Sequence, residues 1–242
     1  MSASQSQIDD DVSGLLKGMI NGYRVSQMIH VAAKLHIADL LAAGPMTIDE
    51  LAGATRAHSE SLRRILRALA SFGIFSEDRD GSFRLSQLAT HLQQTVPGSQ
   101  WAFAASIGEP WWWSPWGRLL HSVQTGEVAF NCVYGEGLFE YLRKNDPASA
   151  IFNENMRAMT EAEAQGIVAA YDFSQSQVIA DIGGGTGALL FAILKSQAEV
   201  RGVLFDDLSV VAEAQACFGN LEVCQRCSFV PGSFFHSVPT GT

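Results

Sequence analysis

The sequence is short of cysteine, of positive charge and of long apolar runs. Four cysteines in 242 residues are too few for the disulfide framework of a small secreted domain, so a reduced, cytoplasmic setting is expected. Lysine and arginine number 16 against 25 acidic residues, a net charge of −9. Bulk electrostatics therefore disfavour nucleic acid as a partner. No apolar run reaches the roughly 18 residues that a membrane-spanning helix needs. The start, "MSASQSQIDDD", has neither the basic nor the apolar region of a signal peptide. Internal repeats, low-complexity tracts and long linkers are lacking too. What is present is a hydrophobic share of 47%, enough for a packed core in one large domain or two small ones.

Apolar residues recur at helical spacing from Val25 to Leu41, and Gly44-Pro45 stops that pattern. In "TIDELA" Thr47 is followed three residues later by Glu50, the signature of a capping box and a second helix. "SESLRRILRALASFGIF" places Leu62, Ile65, Leu66 and Leu69 on one face and ends at Gly73. Two short β-prone pieces then flank Asp80-Gly81, a hairpin turn signal. Three helices and a hairpin make the winged-helix pattern. Arg63, Arg64 and Arg67 lie on its third helix, the one a transcription factor would lay in the major groove. The segment is nearly neutral, so solvated charge and dimer contacts are the preferred reading. A ligand-sensing DNA-binding regulator is the rival from another functional class.

Residues 101–171 read as a helical connector broken at prolines and glycines. From Val178 the pattern becomes strand, helix, strand, helix, strand: Val178–Ile182, Ala188–Lys195, Val203–Asp206, Val210–Phe218 and Ser228–Val230. This βαβαβ alternation is the first half of a doubly wound parallel sheet, whose ligands bind beyond the carboxyl ends of the strands. Asp181, Gly183, Gly184, Gly185 and Gly187 fall there. Glycine lets the backbone approach a ligand and adopt positive φ in a tight turn. Asp206 ends the second strand, where a carboxylate accepts hydrogen bonds from ribose hydroxyls. Gly183, Gly185 and Ala188 also satisfy a loose dinucleotide fingerprint, so an NAD-binding, oxidoreductase-like fragment is a second rival. Asp181 favours S-adenosylmethionine (SAM): its carboxylate suits the ligand's ammonium group, directly or through water, and would repel a phosphate.

"AYDFS", "DIGGGTGALL", "RGVLFD", "VPGSFFHSVPTG", "LHSVQTGEVAF", "LFEYL" and "FNENM" closely resemble the small-molecule O-methyltransferases of the caffeate/acetylserotonin type, especially bacterial members. The likeness spans nearly the whole chain. It implies an α/β protein with an N-terminal winged-helix dimerisation domain (1–100), a helical connector and substrate-pocket region (101–171), and part of a Rossmann-like SAM-binding domain (172–242). It also implies SAM as cofactor, a small aromatic or polyketide-like hydroxyl acceptor and a homodimer; on charge, hydropathy and cysteine placement no nucleic-acid, membrane or metal partner is expected. By the same resemblance Gly183 lies at the SAM amino-acid moiety, Asp206 at the ribose, and Ser233 and Phe234 at the adenine. Phe152, Met156 and Met159 line the acceptor pocket. Trp113, in the tryptophan-rich "EPWWWSPWG", is a further lining candidate, although packing is the first use of so many large aromatics.

The sequence departs from the family in two places. Ser233 stands where the family has Asp, so its bond to adenine lacks charge assistance and is weaker by about 1 kcal/mol. The family's general-base histidine follows the "SVP" segment by some twenty residues and has no counterpart in these 242. On that ground little or no methyl transfer is expected of the 242 residues alone, and the first strand is expected to be an open sheet edge that a partner would complete. His236 is a weak substitute base. Cys217, Cys224, Cys227 and His236 resemble a zinc set in composition, but the C-x-x-C pair precedes a strand, and a structural reading is preferred.

Overall fold

Thr47 caps its helix as its spacing predicts. Its hydroxyl accepts the Glu50 N–H at 3.4 Å, and its own N–H donates to the Glu50 carboxylate at 2.7 Å. This computed structural model describes residues 12–219 and 221–240 and consists of two units, Met1–Gly135 and Glu136–Thr242. The region 101–171 is thus divided between them.

In the first unit, helical residues 12–20 precede α1 (Gly22–Lys34), α2 (Ile48–Thr55) and α3 (Ser59–Ser71). Leu62, Leu66 and Leu69 are buried on one face of α3, while Arg63, Arg64 and Arg67 are exposed on the other. Arg67 pairs with Glu77 at 3.0 Å. Gly73 follows α3 with φ 76°, a value that costs glycine little. The expected hairpin forms from β1 (Ser76–Glu77) and β2 (Phe83–Arg84). Its turn is tied by Asp80, which accepts both the N–H and the O–H of Ser82.

The helix expected to run from Val25 to Leu41 is broken instead. α1 stops at Lys34, and His36 takes a left-handed conformation, φ 52°. The cause is tertiary: the His36 ring stacks on Trp101 at 5.4 Å, and Trp101 Nε1 donates to the Ala33 carbonyl at 3.0 Å. Leaving the helical path here lets Ile37, Ala38 and Leu41 bury completely or nearly so, which offsets a backbone cost of about 1–2 kcal/mol. α4 (Trp101–Ile107) packs against α1. The fit is so close that a Cβ on Gly108 would stand 2.2 Å from the His30 ring. α5 (Pro110–Trp116) buries Trp111 and leaves Trp116 exposed.

The second unit contains α6 (Leu138–Arg143), α7 (Asp146–Ala170), β3 (Val178–Ile182), α8 (Ala188–Ser196), β4 (Arg201–Asp206), α9 (Leu208–Phe218) and β5 (Cys227–Pro231). The sheet is parallel in the order β3-β4-β5, with Ile182 beside Phe205 and Phe205 beside Val230. One face is dry: Leu190, Phe191, Leu194, Leu204 and Ala214 pack with Ile179 and Phe229. Arg226 ties this layer together by donating to the carbonyls of Leu194, Gln197 and Val200 at 2.6–2.8 Å. That places a cation on the carbonyl end of α8, where the helix dipole favours it. Among the described residues β3 pairs only with β4, and its Ala180 and Ile182 are exposed.

Candidate cofactor site

The turn between β3 and α8 depends on bare backbone. Gly183, Gly185 and Gly187 have φ of 72°, 57° and 89°, values that L side chains rarely adopt. Gly184 is needed for space: a Cβ there would lie 2.5 Å from Leu204 and 2.7 Å from the Asp181 carboxyl carbon. The N–H groups of Gly183 and Gly184 both face the Phe205 carbonyl, at 2.8 and 3.3 Å, which pins the turn to the end of β4.

Asp206 is anchored from both sides. One carboxylate oxygen accepts the Gly185 N–H at 2.8 Å and the other accepts the Asp207 N–H at 2.7 Å. Each oxygen keeps further acceptor capacity, so an immobile carboxylate is offered to vicinal hydroxyls. Beside it opens a cavity of about 320 Å³, lined by Gly183, Gly184, Gly185, Thr186, Asp206 and Asp207 on the sheet side. α7 supplies the opposite wall with Ser149, Phe152, Asn153, Met156, Arg157 and Thr160, spaced so that they share one helical face. Asn153 is held by Glu213 at 2.7 Å. α6 adds Phe139 and Arg143, and Arg143 approaches Asp207 at 3.4 Å.

The structure thus brings together Gly183, Gly184, Gly185, Asp206, Phe152 and Met156, and places the other candidates elsewhere. Gly187 caps α8 just behind the cavity wall, with Phe191 filling the space a side chain would need. Asp181 lies beneath Gly184 rather than in the cavity wall, so ligand contact would have to pass through the turn. Burial pushes its carboxyl above the ordinary value, the charge of Asp206 adds to this, and a backbone hydrogen bond from Leu190 opposes both. Met159, on the same helix as Met156, is about half exposed and outside the lining. Ser233 and Phe234 follow β5 and also lie outside it. The Phe234 ring stands 3.6 Å from the Cβ position of Gly183, and the Ser233 carbonyl accepts the N–H of His236.

His236 is exposed and outside the lining. Trp113 belongs to the first unit, where it lines an open depression with Tyr23, Trp112 and Trp116. Cys224 is buried with its thiol on the Phe218 carbonyl, and burial pushes the Cys227 thiol up to about 11. The Cys217 side chain lies outside the described residues. No three His, Cys, Asp or Glu side chains among the described residues are grouped as a metal site would require.

Residues 116–242 match the family model of the O-methyltransferase domain, and residues 18–95 match that of the O-methyltransferase dimerisation domain. The chain belongs to the O-methyltransferase family. It is 44% identical over 228 residues to the phenazine O-methyltransferase PhzM of Lysobacter antibioticus, covering 94% of this chain and 67% of that protein. The solved structure of LaPhzM superposes with a TM-score of 0.92 at 43% identity, covering 95% of this chain and 69% of that one. NcsB1, an O-methyltransferase from neocarzinostatin biosynthesis solved with SAM and 2-hydroxy-5-methyl naphthoic acid, superposes with a TM-score of 0.77 at 31% identity, covering 90% and 67%. The chain therefore spans about two thirds of the length of these relatives.

Membership makes SAM the family cofactor, and the residues present suit it. The glycine turn admits a ligand close to backbone, Asp206 presents two anchored oxygens, and the cavity falls in the range of about 300–1,000 Å³ usual for small-molecule sites. The sequence reading did not pick out Arg143, Asn153, Arg157, Thr160 and Thr186. A signal for the α7 residues existed: once Phe152 and Met156 are placed on a wall, helical spacing brings Ser149, Asn153, Arg157 and Thr160 with them.

Proposed function

We propose that this chain binds SAM in the cavity of the second unit and serves the transfer of its methyl group to a hydroxyl of a small aromatic or polyketide-like acceptor. SAM supplies an electrophilic methyl group on a sulfonium. Asp206 takes the ribose hydroxyls, Gly183–Gly185 lie along the amino-acid end, and Phe152 and Met156 give the apolar wall facing the reacting centre. The enzyme's part is alignment of the two reactants. The observation that carries this reading is the Asp206 carboxylate, fixed by the Gly185 and Asp207 N–H groups at the mouth of a positive-φ glycine turn. Asp181, Asp206 and Asp207 also crowd negative charge at this end of the sheet, which suits a cationic ligand better than the pyrophosphate of NAD.

Isothermal calorimetry of the chain with SAM, S-adenosylhomocysteine and NAD tests the reading. Both sulfur nucleosides bind, and Asp206→Leu lowers their affinity about 10- to 100-fold. Binding of NAD alone would overturn it.

The proposed partner is a second copy of the chain. Val12, Leu15, Leu16, Met19, Ile20 and Tyr23 form a stripe at helical spacing and are each 52–67% exposed. A stripe of this length is an interaction surface rather than scattered surface apolarity. Its end falls within the dimerisation-domain match. Sedimentation should give twice the 26.1 kDa chain mass. A monomer at micromolar concentration would reject the dimer.

A further inference from the structure

Asp207 holds the N-cap position of α9, a helix of 11 residues, yet its side chain accepts no bond from the first-turn N–H groups. Asp is among the preferred residues at that position because its carboxylate normally does so. The backbone is already set for it, with φ −54° and ψ 148°. The carboxylate points elsewhere: one oxygen accepts from a terminal nitrogen of Arg143 at 3.4 Å. Asp207 thus has two partners within reach of a side-chain rotation, the start of its own helix and the guanidinium across the cavity.

Arg143 ends α6, and Phe139, one turn earlier on the same helical face, lines the cavity with it. α6 rests on α7. The other ion pairs of this stretch, Lys144 with Glu136 and with Glu140, close within it. Arg143–Asp207 is therefore the one ion pair among the described residues that ties α6 to the sheet side. Arg157, on the α7 wall, is by contrast held by Glu154 and Glu161 of its own helix. Arg143 and Asp207 both line the cavity and yet their side chains are 56% and 37% exposed, so the pair stands where the cavity meets solvent. An ion pair this exposed is easily broken and is screened by salt. It would make a poor strut, but it suits a closure that must open repeatedly.

We propose that Arg143 and Asp207 form a latch that closes α6 over the bound cofactor, and that Asp207 opens it by turning back to cap α9. This assignment rests on the cavity being the SAM site. Closed, the pair bars the mouth beside Asp206. Open, α6 is released and α9 gains its cap, so the two states lie close in free energy. Entry and exit of the cofactor both wait for the open state, and both rates scale with its population. Neither residue is a ligand in this arrangement; the pair governs exchange more than affinity.

Surface plasmon resonance, with the whole chain immobilised and S-adenosylhomocysteine in solution, separates the two rate constants. Arg143→Met and Asp207→Asn should each raise the association and dissociation rates together, about three- to fivefold, so that Kd moves less than about twofold. Asparagine caps a helix as well as aspartate does, so α9 is kept. The double variant should exchange no faster than either single one, because each already removes the whole latch. Arg143→Lys should restore most of the slow exchange, which a packing role would not predict. In about 0.5 M salt the unmodified chain should approach the rates of Arg143→Met. A rise in dissociation alone, with a matching loss of affinity, would make Arg143 a ligand contact and overturn the latch. Unchanged rates would overturn it too and leave the SAM site standing. Failure of the unmodified chain to bind S-adenosylhomocysteine would overturn both.

Discussion

In the unit Met1–Gly135 the decisive residues are side chains, whereas in Glu136–Thr242 the decisive feature is often their absence. The first unit is shaped by what Leu62, Leu66 and Leu69 bury, by what Thr47 caps and by where Trp101 stacks. The cofactor turn of the second is shaped by glycines: three with positive φ, and Gly184 and Gly187 with no room for a Cβ. A core of apolar side chains tolerates exchange when volume and pattern persist. A turn fixed by backbone conformation and by contact distances does not.

All five tryptophans, Trp101, Trp111, Trp112, Trp113 and Trp116, belong to the first unit. Tryptophan fluorescence in urea therefore reports that unit, while ligand binding reports the second. The largest effect is expected from Gly187→Ala. The new Cβ meets Phe191 at 2.7 Å in a conformation of φ 89°, costing about 2–4 kcal/mol. Affinity for S-adenosylhomocysteine should fall with the far-ultraviolet transition while the tryptophan transition stays in place. Movement of both transitions together would break the distinction between the units.

Thr47→Ala is expected to do the reverse at smaller scale. Losing the capping box lowers the stability of the first unit by about 1 kcal/mol. The tryptophan transition should shift to lower urea with no change in ligand affinity. An unmoved transition would show that the cap is not limiting.

The smallest effect concerns Asp181. Its folded carboxyl holds a proton more tightly than the unfolded chain does, chiefly through burial and then through Asp206. Above the ordinary value of 3.8 the native state keeps a proton that the unfolded chain has released, so stability falls as pH rises through that window and Asp181 ionises. Asp181→Asn should raise the stability of the second unit at neutral pH, with the gain vanishing below that value. A gain that persists unchanged in acid would point to packing instead of charge.

Much of the cofactor turn was legible in the sequence because its requirements are local. Four glycines in five residues after an apolar run can mean little besides a tight strand-to-helix turn, and Asp206 follows at the next strand end. The capping box at Thr47 and the α3 stripe were legible for the same reason: their partners lie within one or two helical turns. The break at His36 was not legible, since the helical pattern runs through it and the stacking partner is 65 residues away. The positions of Ser233 and Phe234 outside the lining, and of Met159 off the wall that Met156 shares, depend on how a strand end and a helix face are turned. No spacing rule fixes those rotations to within one side chain.

The sequence by itself determined the family, the βαβαβ order, the glycine turn and the capped helices, because each is written in neighbouring residues through periodicity, capping chemistry or conformational freedom. Tertiary structure alone decided that Asp181 lies behind Gly184, that Asp206 is clasped from both sides, and that Arg157 and Asp206 share one cavity. Those facts arise where α7 packs along α8, bringing residues 49 positions apart to a single space whose polar groups must be satisfied together.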